Sequence, residues 1–255
     1  MRGALLNPIR FYKPSELPDY STIFPNFDNI TYGNQYFYGV AASPDVIREH
    51  IGIMYLQFEN EANATFTVSI YKLTNGVFTL NNTVESVDIS PVGWITYQIH
   101  KVTIDLSDGV YYLTSGGKTS DIFRVVSINE DLVKIKYLNS KNDFGCIFST
   151  NYFEAYFRGN IKKGDPKIDI EAFESDRGKP VKLRSTPQRT ATLNIKGIHQ
   201  LYVELVEMIF SCDTITINGI DYENMEAPSY DDMDGGDIGN MSIKLVQKNN
   251  DYYGK

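Results

Sequence analysis

An enzyme of this size would show a nucleophile beside a base, a pair of working carboxylates, a metal cluster or a phosphate-cradling loop. The three histidines are His50, His100 and His199. None has a second histidine four residues away or a neighbouring cysteine, so the spacing that zinc needs is missing and each reads as structural. Cys146 and Cys212 are too few and too far apart for a disulfide framework or a thiolate cluster, and both read as buried apolar residues. The sequence lacks G-x-S-x-G, the Walker pattern and a strand followed by G-x-G-x-x-G. Asp169, Glu171, Glu174 and Asp176 do cluster, and a glycosidase needs two carboxyls about 5 to 9 Å apart. Strict alternation, however, sets Asp169 and Glu171 opposite Ile168, Ile170 and Ala172, the pattern of any strand with one solvated face. Asp232, Asp234 and Gly236 imitate the opening of a calcium loop. The imitation fails where Gly236 stands at the fifth position, Asp237 at the sixth and Ile243 at the twelfth. The chain is therefore expected to carry no catalytic, cofactor-binding or metal-binding residue, and to be no enzyme.

The elements that would have to position such residues are mostly strands. From Ile51 the apolar period is two: in ATFTVSIYKL, Phe66, Val68 and Ile70 share one face and Thr65, Thr67 and Ser69 the other. Asn75-Gly76 then separates two strand patterns, and because both central positions of a type I′ turn need positive φ this dipeptide predicts a hairpin tip. Similar runs recur around Asp108-Gly109 and Gly116-Gly117 up to residue 128, the rhythm of an antiparallel β-sandwich. Further strand patterns fill 152–159, 166–173 and 189–195. Leu201, Tyr202, Leu205, Met208 and Ile209 then lie at helical spacing with Glu204 and Glu207 outside the stripe, which predicts one long helix near 198–211. A second Asn-Gly hairpin at Asn218-Gly219 follows. The expected fold class is mainly β: an N-terminal antiparallel β-sandwich followed by an α+β domain with one long helix. The expected division is a proline- and aromatic-rich docking arm over 1–45, a sandwich domain over 46–128, and an α+β domain over 129–255 containing an acidic loop at 221–237.

Composition sets the surroundings. The 255 residues are 42% hydrophobic and 22% charged, values of a folded globular chain, and no run nears the roughly 18 apolar residues that a membrane helix requires. Eighteen Tyr and 14 Phe against 1 Trp favour strands and interfaces. With 24 Lys and Arg against 32 Asp and Glu the net charge is −8, so no global basic field exists for nucleic acid, and neither direct nucleic-acid binding nor membrane insertion is expected. The acid is concentrated: Asp221, Glu223, Glu226, Asp231, Asp232, Asp234 and Asp237 follow one another without a Lys or Arg, a segment expected to form a mobile loop suited to a basic patch on a partner. The N-terminus does not read as a secretory signal, because Pro8 interrupts its short apolar run; the four N-x-S/T triplets therefore carry no glycosylation expectation. In the arm, Pro8, Pro14, Pro18, Pro25 and Pro44 stand among nine aromatic residues. Such a segment breaks helices yet needs apolar cover, and a neighbouring polypeptide is the expected cover, with its own domain as the competitor.

The succession NDFGCIF, YFRGNI, DIEAFESDRGKPVKLRSTPQRTATLNI and LVEMIFSCDTITINGIDYENM resembles structural proteins of the tail or tail hub of Bacteroidota-infecting, crAss-like tailed bacteriophages. DLSDGVYYLTSGGKTSDIFRV, residues 105–125, looks like the last strands of the small sandwich of those proteins. The resemblance covers about residues 51–225. It implies a non-enzymatic virion protein that assembles as a homo-oligomeric ring, touches other copies of itself and other tail proteins, uses no cofactor, and resides in the virion tail after synthesis in the bacterial cytoplasm. A carbohydrate-binding module or adhesin for host glycans would show a similar sandwich, with tyrosines as the stacking platforms. The two differ in placement: a binding module gathers exposed aromatics in one patch, whereas an assembly subunit spreads them over opposite faces.

Overall fold

The computed structural model describes residues 2–3, 7–13, 48–50, 53–61, 66–75, 77–90, 97–126, 131–139, 152–165, 167–174, 180–232 and 238–248. The chain is mainly β, with one α-helix among the described residues.

In the first half, β1 (Arg2–Gly3), β4 (Ile53–Glu61), β8 (Tyr97–Asp105) and β7 (Val87–Asp88) form one sheet in the order β1-β4-β8-β7. A second sheet runs β2 (Phe11–Tyr12), β10 (Lys118–Ser120), β9 (Gly109–Ser115), β11 (Phe123–Val125), β3 (Arg48–His50), and β5 (Thr67–Thr74) joins β9 and carries β6 (Val77–Glu85). All pairings are antiparallel except β3 on β11. The period-two residues of both sheets meet in one apolar cluster: Met54, Leu56 and Phe58 from β4, Val102 and Ile104 from β8, and Val68, Ile70, Tyr111 and Leu113 from β5 and β9. Phe11, Phe58, Phe66 and His100 run through it edge to face, with ring centroids 5.0, 5.3 and 5.1 Å apart in turn.

The first core does not start at the expected boundary near residue 46. Arg2 and Gly3 pair with Glu59 and Phe58, Phe11 and Tyr12 pair with Ser120 and Thr119, and Ile9 is fully buried in the same cluster. Residues 2–3 and 7–13 thus belong to the chain's own sheets, because Ile9 and Phe11 find there the cover that their apolar area requires. The expected docking of residues 14–47 lies outside the described residues.

The second half closes on itself. β12 (Leu132–Leu138), β13 (Phe153–Lys163), β16 (Thr190–His199), β17 (Thr214–Ile217), β18 (Ile220–Asn224) and β20 (Ile238–Gln247) are ordered β16-β13-β12-β17-β18-β20, and β20 pairs back onto β16. This is a six-stranded antiparallel barrel, a closure that no local pattern announced. Alternate residues fill it: Val133, Ile135 and Tyr137, Phe153 and Ala155, Leu193 and Ile195, Ile215 and Ile217, Ile243 and Leu245. Gly159 lies where β13 crosses β16, and a Cβ there would stand 2.1 Å from the carbonyl oxygen of Asn194, so only glycine lets the strands approach.

The helix α1 spans Val203–Phe210, shorter than expected. β16 runs on to His199 and a 3-10 turn, Gln200–Tyr202, takes the place of the first helical residues. The buried face is Tyr202, Leu205, Val206, Ile209 and Phe210, one residue beyond the anticipated stripe, and it joins the barrel core while Glu204 and Glu207 stay exposed. Both Asn-Gly tips are hairpin turns: Thr74 pairs with Val77 around Asn75 (φ 50°), and Ile217 pairs with Ile220 around Asn218 (φ 48°) and Gly219 (φ 86°).

The acidic segment is not one loop. Residues 220–224 form β18 and Ser229–Asp232 form β19, and the two follow each other along the same edge of β20, Tyr222 opposite Gln247 and Ser229 opposite Ser242. Tyr222 turns into the core and its strand is thereby anchored, which overrides the self-repulsion of the acids. Residues 233–237 lie outside the described residues.

Candidate interaction surfaces

Among the described residues the sequence candidates for chemistry are spread over separate elements. His100 sits in β8, buried, with Nδ1 3.2 Å from the Ser86 hydroxyl and its ring against Phe66. His50 ends β3, paired in backbone register with Val125, and His199 ends β16 opposite Ile238. Cys212 is buried and its thiol points at the Met208 carbonyl, 3.5 Å away; Cys146 lies outside the described residues. Asp169, Glu171 and Glu174 occupy β14 (Lys167–Glu174), in register with Thr186, Arg184 and Pro180 of β15 (Pro180–Gln188), while Asp176 lies outside the described residues. Of the calcium-loop imitation, Asp232 ends β19 and Ile243 is a core residue of the barrel; Asp234, Gly236 and Asp237 are outside the described residues. Among the described residues no group of His, Cys, Asp and Glu could hold a metal ion, and no helix is long and apolar enough to cross a membrane.

What the fold does assemble is a set of surfaces. The first is the outer face of β12–β13. Lys134 and Lys136 alternate with the core residues Val133, Ile135 and Tyr137, and cross-strand register brings them opposite Tyr156 and Glu154. Glu154 takes both: its Oε2 is 2.9 Å from Lys134 Nζ and its Oε1 3.2 Å from Lys136 Nζ, and the Tyr156 hydroxyl donates to Oε2 at 3.1 Å. Lys136 also donates to the Tyr152 hydroxyl at 3.1 Å, and its ammonium lies 4.3 Å from the centre of that ring. Burial alone would raise the Glu154 carboxyl, but the hydrogen bond and charge of Lys134, with those of Lys136 and Tyr156, outweigh it and hold the group below its ordinary value. Burial first, and the Glu154 charge second, push the Tyr156 hydroxyl well up. The hydrogen bond from Lys136 to Tyr152 holds that ammonium above its usual value. An ionised carboxylate and a firmly protonated phenol suit binding rather than proton transfer at neutral pH. The alternation VKIKYL opposite FEAYF carries this cluster in the sequence, yet only the β12–β13 register names the pairs.

The second surface is the outside of β18–β19–β20. Asp221 accepts a hydrogen bond from Thr216 Oγ1 at 2.7 Å, Glu223 lies 3.3 Å from Lys248 Nζ, Glu226 lies 3.0 Å from Lys244 Nζ, and Asp231 is exposed. Ile220 and Met225 are exposed among them. The third is the β14–β15 hairpin. It follows the last β13–β16 pair, Lys163 with Ala191, after a short break, and starts its own ladder at Lys167 with Gln188. Among the described residues it pairs with no other strand. A fourth feature lies on the other sheet: Tyr71 and Tyr112 stack at 4.7 Å, 3° from parallel, and Phe78 meets Tyr112 edge-on at 4.8 Å.

The two halves touch where β13 lies against β3 and β4, and Arg10 of the first half bridges to Glu204 of α1 at 3.2 Å. No protein-family model and no curated protein matches the chain.

Proposed function

We propose that the chain is a non-enzymatic structural subunit of a bacteriophage virion, placed in the tail or tail hub, which assembles as a homo-oligomeric ring and contacts other tail proteins. In this reading the two N-terminal sheets are the sandwich unit and the barrel with α1 is the α+β unit. The observation that carries it is the β14–β15 hairpin, a ribbon of two strands beyond the barrel with no other strand beside it among the described residues. A lone hairpin is marginal in water, and its free edges are templates for pairing with another chain. A subunit that donates such a ribbon to its neighbour gives those edges a partner strand in the assembly. The resemblance to tail and tail-hub proteins supports the same reading.

Replacing residues 167–188 by a short glycine-rich link tests it. The barrel ladder ends at Lys163 and Ala191, so the shortened chain should keep its melting temperature but lose self-association and incorporation into particles. Normal incorporation of the shortened chain, or absence of the intact chain from purified particles, overturns the proposal.

One observation favours the second reading, a module for host glycans: Tyr71, Tyr112 and Phe78 form a half-buried aromatic group on the outer face of β5, β6 and β9. A glycan-array signal lost in Tyr112→Ala with an unchanged fold would select it over the assembly reading.

A further inference from the structure

The barrel carries opposite charges on opposite sides. In the closed order β16-β13-β12-β17-β18-β20, the pair β13–β12 lies across the barrel from β18–β20. The described residues of 132–163, which hold the first pair, contain five Lys or Arg against one Glu. The described residues of 218–248, which hold the second, contain five Asp or Glu against two Lys. The basic side keeps Lys134 and Lys136 partly exposed and adds the exposed Lys162, with the exposed Tyr152 set beside Lys136. The acidic side sets the exposed Ile220 and Met225 among Asp221, Glu223, Glu226 and Asp231. The basic side thus sets one exposed aromatic among lysines, and the acidic side sets two exposed apolar side chains among carboxylates, of which Glu226 and Glu223 pair with Lys244 and Lys248; exposed apolar groups in a charged surround are the anatomy of a protein interface.

We propose that the exposed part of the β12–β13 face, around Lys134, Lys136 and Tyr152, which β3 and β4 leave open, docks in one copy on the β18–β20 face of the next, head to tail. The proposal deepens the assembly-subunit reading above and rests on it for its biological place. Complementarity within one sequence selects a second copy as the occupant, because every subunit presents both the surface it needs and the surface its neighbour needs. A symmetric dimer through either face is disfavoured, since it would set like charges against each other. The contact is heterologous, and heterologous contacts close into rings when the rotation between copies allows it. Glu154 fits this arrangement: by engaging Lys134 and Lys136 from beneath it holds both ammonium groups in place before a partner arrives.

Sedimentation velocity of the full chain at low and high salt, with charge-reversed variants, tests the proposal. The wild type should associate at low salt and weaken at least about tenfold in half-molar salt, where screening reaches within a few ångströms. Glu223→Lys with Asp231→Lys should abolish association. Lys134→Glu with Lys136→Glu should do the same, and because that variant also strips Glu154 of its partners, Lys162→Glu serves as a second basic-face change that breaks no ion pair among the described residues. An equimolar mixture of the acidic-face and basic-face variants, each with a wild-type melting curve, should recover association, since every copy then meets a complementary neighbour. A wild type that stays monomeric at every salt concentration, an association indifferent to both reversals, or a mixture of folded variants that fails to recover overturns the proposal. These readouts use the purified chain alone. Charge-dependent association of a protein absent from particles would sink the tail reading and leave this interface standing.

Discussion

The side chain of Asn7 occupies the place of a strand beside Gln57. Its Nδ2 donates to the Gln57 carbonyl at 2.9 Å and its Oδ1 accepts the Gln57 N–H at 2.8 Å, directly after the ladder of Arg2 with Glu59 and Gly3 with Phe58 has ended. Where β1 leaves β4, one buried amide continues its hydrogen bonding. Asn7→Ala would orphan a buried donor and a buried acceptor on the backbone, so it should cost about 2 kcal/mol or more in denaturant unfolding. A midpoint equal to the wild type would show that water replaces the amide.

Removal of residues 1–13 should do more damage than any single change. Ile9 is fully buried, the backbones of Arg10 and Asp121 bond at 2.9 Å, and the Arg10 N–H donates to the Asp121 carboxylate at 3.0 Å. A chain beginning at residue 46 should therefore melt far below the full chain or fail to fold, in contrast to the expectation that a neighbouring polypeptide covers the arm. A truncated monomer with an unshifted thermal transition would restore that expectation.

Gly159→Ala tests the barrel closure. The added Cβ meets a backbone oxygen, which cannot rotate away, so β13 and β16 must separate at a cost of about 1 to 3 kcal/mol. Hydrogen exchange should quicken first at the β13–β16 ladder. Uniform exchange across the barrel would locate the strain elsewhere.

Gly219→Val examines the second Asn-Gly turn. Gly219 has φ 86°, a region that β-branched residues avoid, and open space surrounds it, so the loss should be conformational alone and about 1 kcal/mol or more. Asn218→Ala should cost more than a turn residue normally does, because the Asn218 carboxamide also accepts the Lys134 N–H at 3.0 Å. Equal losses in the two variants would mean that this second contact adds nothing.

Glu154→Gln should reveal its contribution through pH. The folded carboxyl titrates below its unfolded value, so its stabilisation is fully present above about pH 5 and is lost as pH falls through the folded value. The wild type should exceed the variant in stability at pH 7, with the gap closing as pH falls below the ordinary carboxylate range. A gap that widens on acidification would reverse the assignment.

Much of this fold is written in short-range pattern. Alternation in ATFTVSIYKL predicts a strand with the observed inner face, and Asn75-Gly76 and Asn218-Gly219 predict their turns, since a period of two and a demand for positive φ are properties of neighbouring residues. The mainly β character follows from the same local rules. Three features do not. The pairing of β20 back onto β16 joins residues some fifty positions apart, and nothing in either strand states which edge it will meet. The start of α1 moved because β16 kept its ladder with β20 through His199, so a long-range strand pairing outweighed a local helical stripe. The acidic segment became strand because Tyr222 found a place in the barrel core, although its composition alone reads as a repelling loop. The candidate surfaces divide in the same way. The lysines, the tyrosines and the run of acids are visible in the sequence, but that the lysines share Glu154, and that basic and acidic faces stand on opposite sides, exists only once six strands have closed. Local residues determine which elements form; the burial of apolar faces against distant partners decides which surfaces those elements present.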